Sequence, residues 1–549
     1  MKQTLLSPQE VVGLYPPHDY TLSSLLESRI SAVPDKPFLI YEDESWTYAR
    51  FGEDVLRTAA WLRTRGIGEG DRLAVFSYNH PTTVVLLFAL ARIGAIMVPL
   101  NPDFGVAEAR YALGNAQVSG VICSPGALAR TQEASGALEP QPWIVLNQPA
   151  EGAPVPVLSD ELNGLAASGR AESTPAARSD STCLFIYTSG TTGSPKAAMH
   201  SQGGYVITAE GFVVRMYLQP DERALCVLPL FHINALFYSV GGALAAGATL
   251  ILERRFSASS FWTTVYETQA STTNLIGAAA SILMKRSRNE YRAGHKLKKA
   301  FIAPLDERLV KTFTEEFGVV DLIECYGMTE IPGVISNPFP GPRKLGSMGM
   351  ISPHLASHLP QPLLKVVDEN FTEVASGTHG ILLVRTPTVM QGYYRDPKRT
   401  AEAFHDGWFI TGDLVWKDDD DFYWFVARHR DIIRCRGENI AGAELDRVIG
   451  GHPDVWEAAT IGVPSELGEE DILAVVVPRP GKTLSAADIG QWVRQHLAPI
   501  KIPKYVVFTD ALPKTPTERV EKFKLKGNVE LLKNAIKVEL DNSPSSTRR

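Results

Sequence analysis

Hydrophobic and polar positions along the first half of the chain alternate between short apolar runs and longer mixed stretches. Arg72-Leu73-Ala74-Val75-Phe76 reads as a strand, residues 82–93 as a helix, and 95–100 as a second strand. The apolar pieces Val121-Ile122 and 143–146 continue the rhythm, which returns from Ala224 to about Ile335 with polar-faced helices such as 306–317. Strand–helix–strand repetition of this kind predicts mainly parallel sheets covered by helices, an α/β fold. Residues 152–180 are rich in Ala, Pro, Ser and Gly and read as a solvated connector. A second change of composition follows Asp413, and from Asp431 a smaller α/β unit runs to near Leu540. The Ser-rich tail 541–549 reads as disordered.

Two apolar segments call for a membrane test. Residues 84–100 carry Arg92, Gly94 and Pro99, and residues 225–252 carry Pro229, His232, Asn234 and Gly241-Gly242. Both read as buried strand–helix–strand segments rather than spans. The N-terminus lacks a long apolar run of the secretory kind.

With 549 residues and 44% hydrophobic content, the chain has material for several cores. A formal charge of -7 without a basic block argues against nucleic acid as a partner. Cys123, Cys183, Cys226, Cys325 and Cys435 are scattered and form no CxxC pair. That argues against a disulfide framework and for a reducing, cytoplasmic setting.

The chemistry concentrates in Tyr187-Thr188-Ser189-Gly190-Thr191-Thr192-Gly193-Ser194-Pro195-Lys196, entered from the apolar run Leu184-Phe185-Ile186. Glycines let backbone N–H groups face a ligand, hydroxyls add donors, and the lysine adds a mobile charge. Such a loop suits polyphosphate. It is not a P-loop, which needs four residues between its glycines and a lysine directly after the second. A Ser/Thr/Gly surface turn is the plainer reading of any part of it, but not of the whole string.

Further motifs follow in order. Tyr326-Gly327-Met328-Thr329-Glu330 comes after a strand-like 321–325. In it Tyr326 supplies an aromatic face, Thr329 a hydroxyl donor and Glu330 a carboxylate, beside the plainer reading of a strand-end turn with a solvent-exposed glutamate. Thr411-Gly412-Asp413 places a carboxylate after a tight turn, suited to accepting charge-assisted hydrogen bonds. Asp418-Asp419-Asp420-Asp421 before an aromatic strand reads as a solvated hairpin turn, with a metal site as the sharper alternative. His354 and His358 are four apart, yet flanking prolines and the lack of an intervening carboxylate argue against a helical metal pair.

Together these strings resemble the adenylate-forming (AMP-binding) superfamily of acyl-CoA synthetases, luciferases and peptide-synthetase adenylation domains. The resemblance spans nearly the whole chain. Pro229-Leu230-Phe231-His232-Ile233-Asn234, Glu330-Ile331-Pro332 and Arg436-Gly437-Glu438-Asn439 look most like the carnitine/crotonobetaine-CoA ligase branch.

The resemblance implies a large N-terminal AMP-binding domain (1–429) of several subdomains and a small mobile C-terminal domain (430–540), hinged at Arg430. It implies ATP, Mg2+ and coenzyme A as cofactors, with a small carboxylic acid as substrate. Thr188, Ser189, Gly190, Thr191, Thr192, Gly193 and Lys196 would hold phosphate. Ala303-Pro304 would flank adenine with Tyr326, Gly327, Met328 and Thr329; Asp413 and Arg428 would hold ribose; Gly437 would belong to the later thiol-transfer state. Catalytic roles would fall to Lys196, His232, Glu330 and Arg519, with Glu330 the metal ligand. His232, Asn234, Leu236, Asn274 and Gly277 would wall the acyl pocket.

One departure stands out. Where the family ends its C-terminal signature in Gly-Lys, this chain has Glu518-Arg519, which keeps the charge but as a planar fork. Lys522 is an imperfectly aligned substitute. The expected activity is acid–CoA ligation through acyl-AMP. The alternatives are a stand-alone adenylating enzyme loading a carrier protein, and a nucleotide-binding homologue with weak adenylation because of Arg519.

Overall fold

A computed structural model describes residues 5–165, 177–188, 195–428, 431–435, 438–465, 470–514 and 520–539. The chain forms two compact units, Met1–Leu364 with Val384–Phe409, and Lys365–Leu383 with Ile410–Arg549.

The first unit is built on two seven-stranded sheets. One runs in the order Asp321–Ile323, Lys299–Ala303, Thr272–Ile276, Arg223–Cys226, Thr249–Leu252, Pro37–Tyr41 and Glu44–Thr47. All its pairs are parallel except the last. The other runs Gly392–Tyr393, Lys196–Ser201, Thr182–Thr188, Ile96–Leu100, Arg72–Phe76, Gly120–Cys123 and Trp143–Leu146. It is parallel from Thr182–Thr188 onward and antiparallel at its other edge.

The helices Pro81–Arg92 and Gln202–Met216 are buried on nearly every side. A helix enclosed by sheets and other helices has no solvent face to keep polar. This explains the long apolar stretches, and among the described residues no helix is long and apolar enough to cross a membrane. Residues 225–252 follow the strand–helix–strand expectation, although their first helix, Asn234–Gly241, is wound as a π-helix.

Residues 306–317 depart from the expected single helix. An α-turn Glu307–Lys311 widens into a π-turn Thr312–Glu316, and Phe313 and Phe317 are both buried with ring centroids 5.3 Å apart. Four residues apart, the two rings share one buried face, and only the widening of the turn departs from the periodic expectation.

The strand Trp408–Lys417 enters the second unit at Ile410, and its residues Asp413 to Lys417 pair antiparallel with Tyr423–Arg428. The four aspartates form the tip between them. Asp418 Oδ1 accepts from the Asp420 and Phe422 amides, and Oδ2 from the Trp424 indole, so its carboxylate organises the turn. Further on, the hairpin Ile432–Cys435/Glu438–Ala441 leads into helix Gly442–Gly450. A four-stranded sheet follows in the order Val455–Pro464, Glu470–Pro478, Tyr505–Phe508 and Ile536–Lys537.

Candidate functional site

The Ser/Thr/Gly loop is anchored by its flanks. Thr188 pairs directly with Lys196 at the end of the Thr182–Thr188/Lys196–Ser201 ladder. Residues 189–194, including Ser189, Gly190, Thr191, Thr192 and Gly193, lie outside the described residues.

Three predicted or unforeseen side chains meet beside that ladder. Gly392–Tyr393 adds to the edge of Lys196–Ser201, with Tyr393 opposite Ala198. The Lys196 ammonium stands 4.2 Å from the centre of the Tyr393 ring. The Tyr393 hydroxyl donates to Glu330 Oε1 at 2.7 Å, and the Met390 amide donates to the Glu330 carbonyl at 2.8 Å. Tyr393 thus joins the lysine at the loop's exit to the glutamate of the second motif. Nothing in its sequence surroundings marks it.

Glu330 sits at the tip of a hairpin, Cys325–Met328 against Ile331–Ser336, rather than simply past the end of a strand. Tyr326 is half-buried and Gly327 exposed. A Cβ on Gly327 would fall 2.5 Å from the Gly333 nitrogen, so only glycine fits this crossing. Tyr393 takes one oxygen of the Glu330 carboxylate, and among the described residues no hydrogen bond or ion pair takes the second, which could receive a cation. A single carboxylate suits Mg2+, which is usually bound by one or two protein oxygens plus water and phosphate.

The Ala303-Pro304 segment is tied to the same hairpin by Glu324, another residue that motif reading missed. The Leu305 amide donates to Glu324 Oε1 at 3.1 Å, and Glu324 immediately precedes the Cys325–Met328 strand. Burial raises its carboxyl from the ordinary 4.5 to about 8, opposed by the Leu305 amide. At neutral pH it is therefore protonated. Between those values the folded chain holds a proton that the unfolded chain has released. The Glu324 contribution is thus greatest below pH 4.5 and declines until the folded value is passed. Within that window it lowers stability by up to about 1.4 kcal/mol per pH unit. Glu324→Gln is expected to flatten the pH dependence of unfolding between pH 5 and 8, read from denaturant midpoints; unchanged slopes would refute the assignment.

His232 lies in the turn before Asn234–Gly241, with its amide on the Pro229 carbonyl at 3.1 Å. Its Nε2 is buried without a hydrogen-bond partner among the described residues, and burial pushes the imidazole down to about 4. It is neutral at physiological pH. Nearby, Asn274 Nδ2 donates to Asn234 Oδ1 at 3.1 Å and to Ser239 Oγ at 3.0 Å. A Cβ on Gly277 would fall 2.9 Å from Pro304 Cδ, which places that glycine against the Ala303-Pro304 segment.

In the second unit, Asp413 stands opposite Arg428, whose Nε lies 2.7 Å from Asp413 Oδ1. The Asp413 side chain is fully buried, and its amide donates to Thr411 Oγ1 at 3.0 Å. Arg430, Gly437 and Arg519 fall outside the described residues. The flanks of the Arg519 segment are joined by a Lys514–Val520 bridge and by the Glu521 amide on the Pro513 carbonyl at 2.8 Å. Lys522, the alternative cation, lies 2.6 Å from Asp446 Oδ2 and donates to the Thr460 carbonyl at 2.9 Å. Those contacts commit its ammonium to holding helix Gly442–Gly450 against Val455–Pro464. His354 and His358 lie outside any helix and have different partners, Thr386 Oγ1 and the Tyr20 hydroxyl, so they form no metal pair.

Two seven-stranded sheets, an antiparallel ladder flanking the hydroxyl-rich segment and a glutamate-tipped hairpin describe a nucleotide-dependent enzyme of the adenylate-forming fold. The family model for AMP-binding enzymes matches residues 26–394, and that for the AMP-binding enzyme C-terminal domain matches 444–519. The chain belongs to the AMP-binding enzyme family. It is 31% identical over 507 residues to the indoleacetate–CoA ligase of Aromatoleum aromaticum, covering 91% of this chain and 96% of that protein. It is 30% identical over 509 residues to the crotonobetaine/carnitine–CoA ligase of Salmonella enteritidis, covering 90% and 96%. The crystal structure of ATP-bound MatB from Rhodopseudomonas palustris superposes with a TM-score of 0.80 at 27% identity, covering 95% of this chain and 99% of that one.

Proposed function

We propose that this chain activates a small carboxylic acid with ATP, releasing pyrophosphate, and passes the acyl group to the thiol of coenzyme A. It is an AMP-forming acid–CoA ligase. The observation that most supports the reading is the Lys196–Tyr393–Glu330 array beside the strands that carry the Ser/Thr/Gly loop.

A free carboxylate is a poor acyl donor because its charge is delocalised and oxide is its leaving group. In the first step a carboxylate oxygen of the acid attacks the α-phosphorus in line, and the bond to the β,γ-diphosphate breaks. The loop donors, Lys196 and the Thr329 hydroxyl oppose the charge that develops, a preorganised electrostatic effect. Mg2+ held on Glu330 would neutralise phosphate charge. Tyr326 and the Ala303-Pro304 segment would hold adenine, and Asp413 with Arg428 the ribose. In the second step the part of the chain after Arg430 rotates, bringing the Gly437 segment forward. The thiolate sulfur then bonds to the acyl carbon and AMP leaves. Neutral His232 lines the acyl side of this path as a polar wall and not as a charge.

Arg519 takes the place of the family lysine. Arg519→Ala is expected to lower carboxylate-dependent exchange of labelled pyrophosphate into ATP by about 100- to 1,000-fold, with Arg519→Lys retaining most of it. Equal exchange in all three proteins would remove Arg519 from the mechanism. Adding coenzyme A, or a holo carrier protein in its place, then distinguishes the acceptor: thioester on coenzyme A supports the reading, and acyl transfer to the carrier alone overturns it.

A further inference from the structure

One buried charge, that of Arg215, has no part in the reaction steps above. Arg215 lies in the last turn of Gln202–Met216 and is 2% exposed. Its Nη2 donates to the Gly333 carbonyl. Among the described residues Nε and Nη1 have no hydrogen-bond partner, and no carboxylate pairs with the guanidinium. A buried cation without a counter-charge is among the costlier features a fold can carry. Two glycines make room for it: a Cβ on Gly333 would fall 2.8 Å from Arg215 Cζ, and one on Gly211 3.2 Å from Nη2.

The surroundings are polar and also incompletely satisfied. The Ser352 hydroxyl and His354 Nδ1 are buried without partners among the described residues. The Ser352 amide donates to Val334, the neighbour of Gly333, at 3.0 Å. His354 Nε2 is held by Thr386 Oγ1 at 3.2 Å, and burial, aided by the Arg215 charge, brings its imidazole down to about 4. Burial also raises the Tyr238 phenol, opposed by the Arg215 charge and the Gly333 backbone. The incompletely bonded guanidinium thus rests on the Gly333 carbonyl, and its charge reaches His354 and Tyr238, both of them neutral. Such a cradle suits an anion.

Its position relates it to the reaction. Gly333 is three residues from Glu330, so the two backbones are at most about 11 Å apart. We propose that Arg215, with Tyr238, Ser352 and His354, receives a second anionic group, a carboxylate or sulfonate, at the far end of the acid that is activated. This rests on the ligase reading, in which the reacting carboxylate lies beside Thr329 and Glu330. A trimethylammonium tail would be repelled by the same charge.

The test uses the full-length enzyme with ATP, Mg2+ and coenzyme A. Thioester formation is measured for succinate, glutarate, adipate and their ω-sulfonate counterparts, each against its monomethyl ester or amide, and for γ-butyrobetaine. The wild type is expected to favour at least one anion-tailed acid by at least about 100-fold in kcat/KM. Arg215→Met should abolish that preference mainly through KM, and Arg215→Lys should restore part of it. Equal use of neutral-tailed acids by the wild type, a preference for γ-butyrobetaine, or a uniform loss across all acids in Arg215→Met would overturn the proposal. If Arg215→Met does not fold, the wild-type preference and Arg215→Lys decide. If no acid forms a thioester, the ligase reading fails separately. Calorimetric binding of glutarate and 3-sulfopropionate to wild type and Arg215→Lys then still decides on Arg215: binding that weakens in the variant supports the cradle, and none to the wild type refutes it.

Discussion

Glu330→Gln is expected to lower carboxylate-dependent pyrophosphate exchange by about 100- to 1,000-fold with little change in stability. The reasoning is local. Glu330 Oε1 accepts the Tyr393 hydroxyl at 2.7 Å, and the Glu330 carbonyl accepts the Met390 amide at 2.8 Å. A glutamine amide oxygen can keep the first contact, and the backbone keeps the second. What disappears is the negative charge that, in the proposed mechanism, would hold magnesium at the triphosphate. Tyr393→Phe removes only the hydroxyl that orients the carboxylate and leaves the ring beside Lys196, so about a 10-fold loss is expected. Exchange assayed across a magnesium series checks both variants. Full activity in Glu330→Gln, at limiting as well as saturating magnesium, would show that this carboxylate does not serve the nucleotide.

Asp413→Asn is expected to weaken ATP binding by about 100- to 1,000-fold, because hydrogen bonds to a carboxylate carry about 1.5–3 kcal/mol each. It should also destabilise the second unit. The Asp413 side chain is fully buried, and Arg428, itself largely buried, has its Nε 2.7 Å away. Exchanging the carboxylate for an amide leaves that guanidinium facing a neutral partner, at a cost of about 1–3 kcal/mol. Calorimetric titration with ATP reads the first effect and equilibrium unfolding the second. Arg428→Met combined with Asp413→Asn separates them: the double variant should recover stability without recovering affinity. Wild-type affinity in Asp413→Asn would exclude the aspartate from the ribose site.

Some of the site was legible because it depends on strings of neighbouring residues. The hydroxyl-rich loop, the Tyr326–Glu330 motif and Thr411-Gly412-Asp413 each declare a local chemistry. Asp413 and Arg428, read separately, turned out to face each other across one antiparallel pair. Tyr393, Glu324 and Arg215 were not legible. Each acts through partners distant in sequence: Tyr393 on Glu330, Glu324 on Leu305, Arg215 on Gly333. A tyrosine after a glycine, a glutamate before a cysteine and an arginine near a helix end are common locally, and only burial and pairing give them meaning. Lys522 shows the converse. Its spacing from Arg519 made it a candidate cation, while the fold commits it to Asp446 and the Thr460 carbonyl.

By itself the sequence determined the α/β class, the order of the motifs and the kind of ligand they suit. Apolar periodicity and glycine–hydroxyl strings express backbone geometry within a few residues. The tertiary structure alone decided which charges are spent on structure and which remain for chemistry. Whether a carboxyl is protonated, an ammonium engaged or a guanidinium left without a counter-charge depends on desolvation and on neighbours well outside any local sequence window.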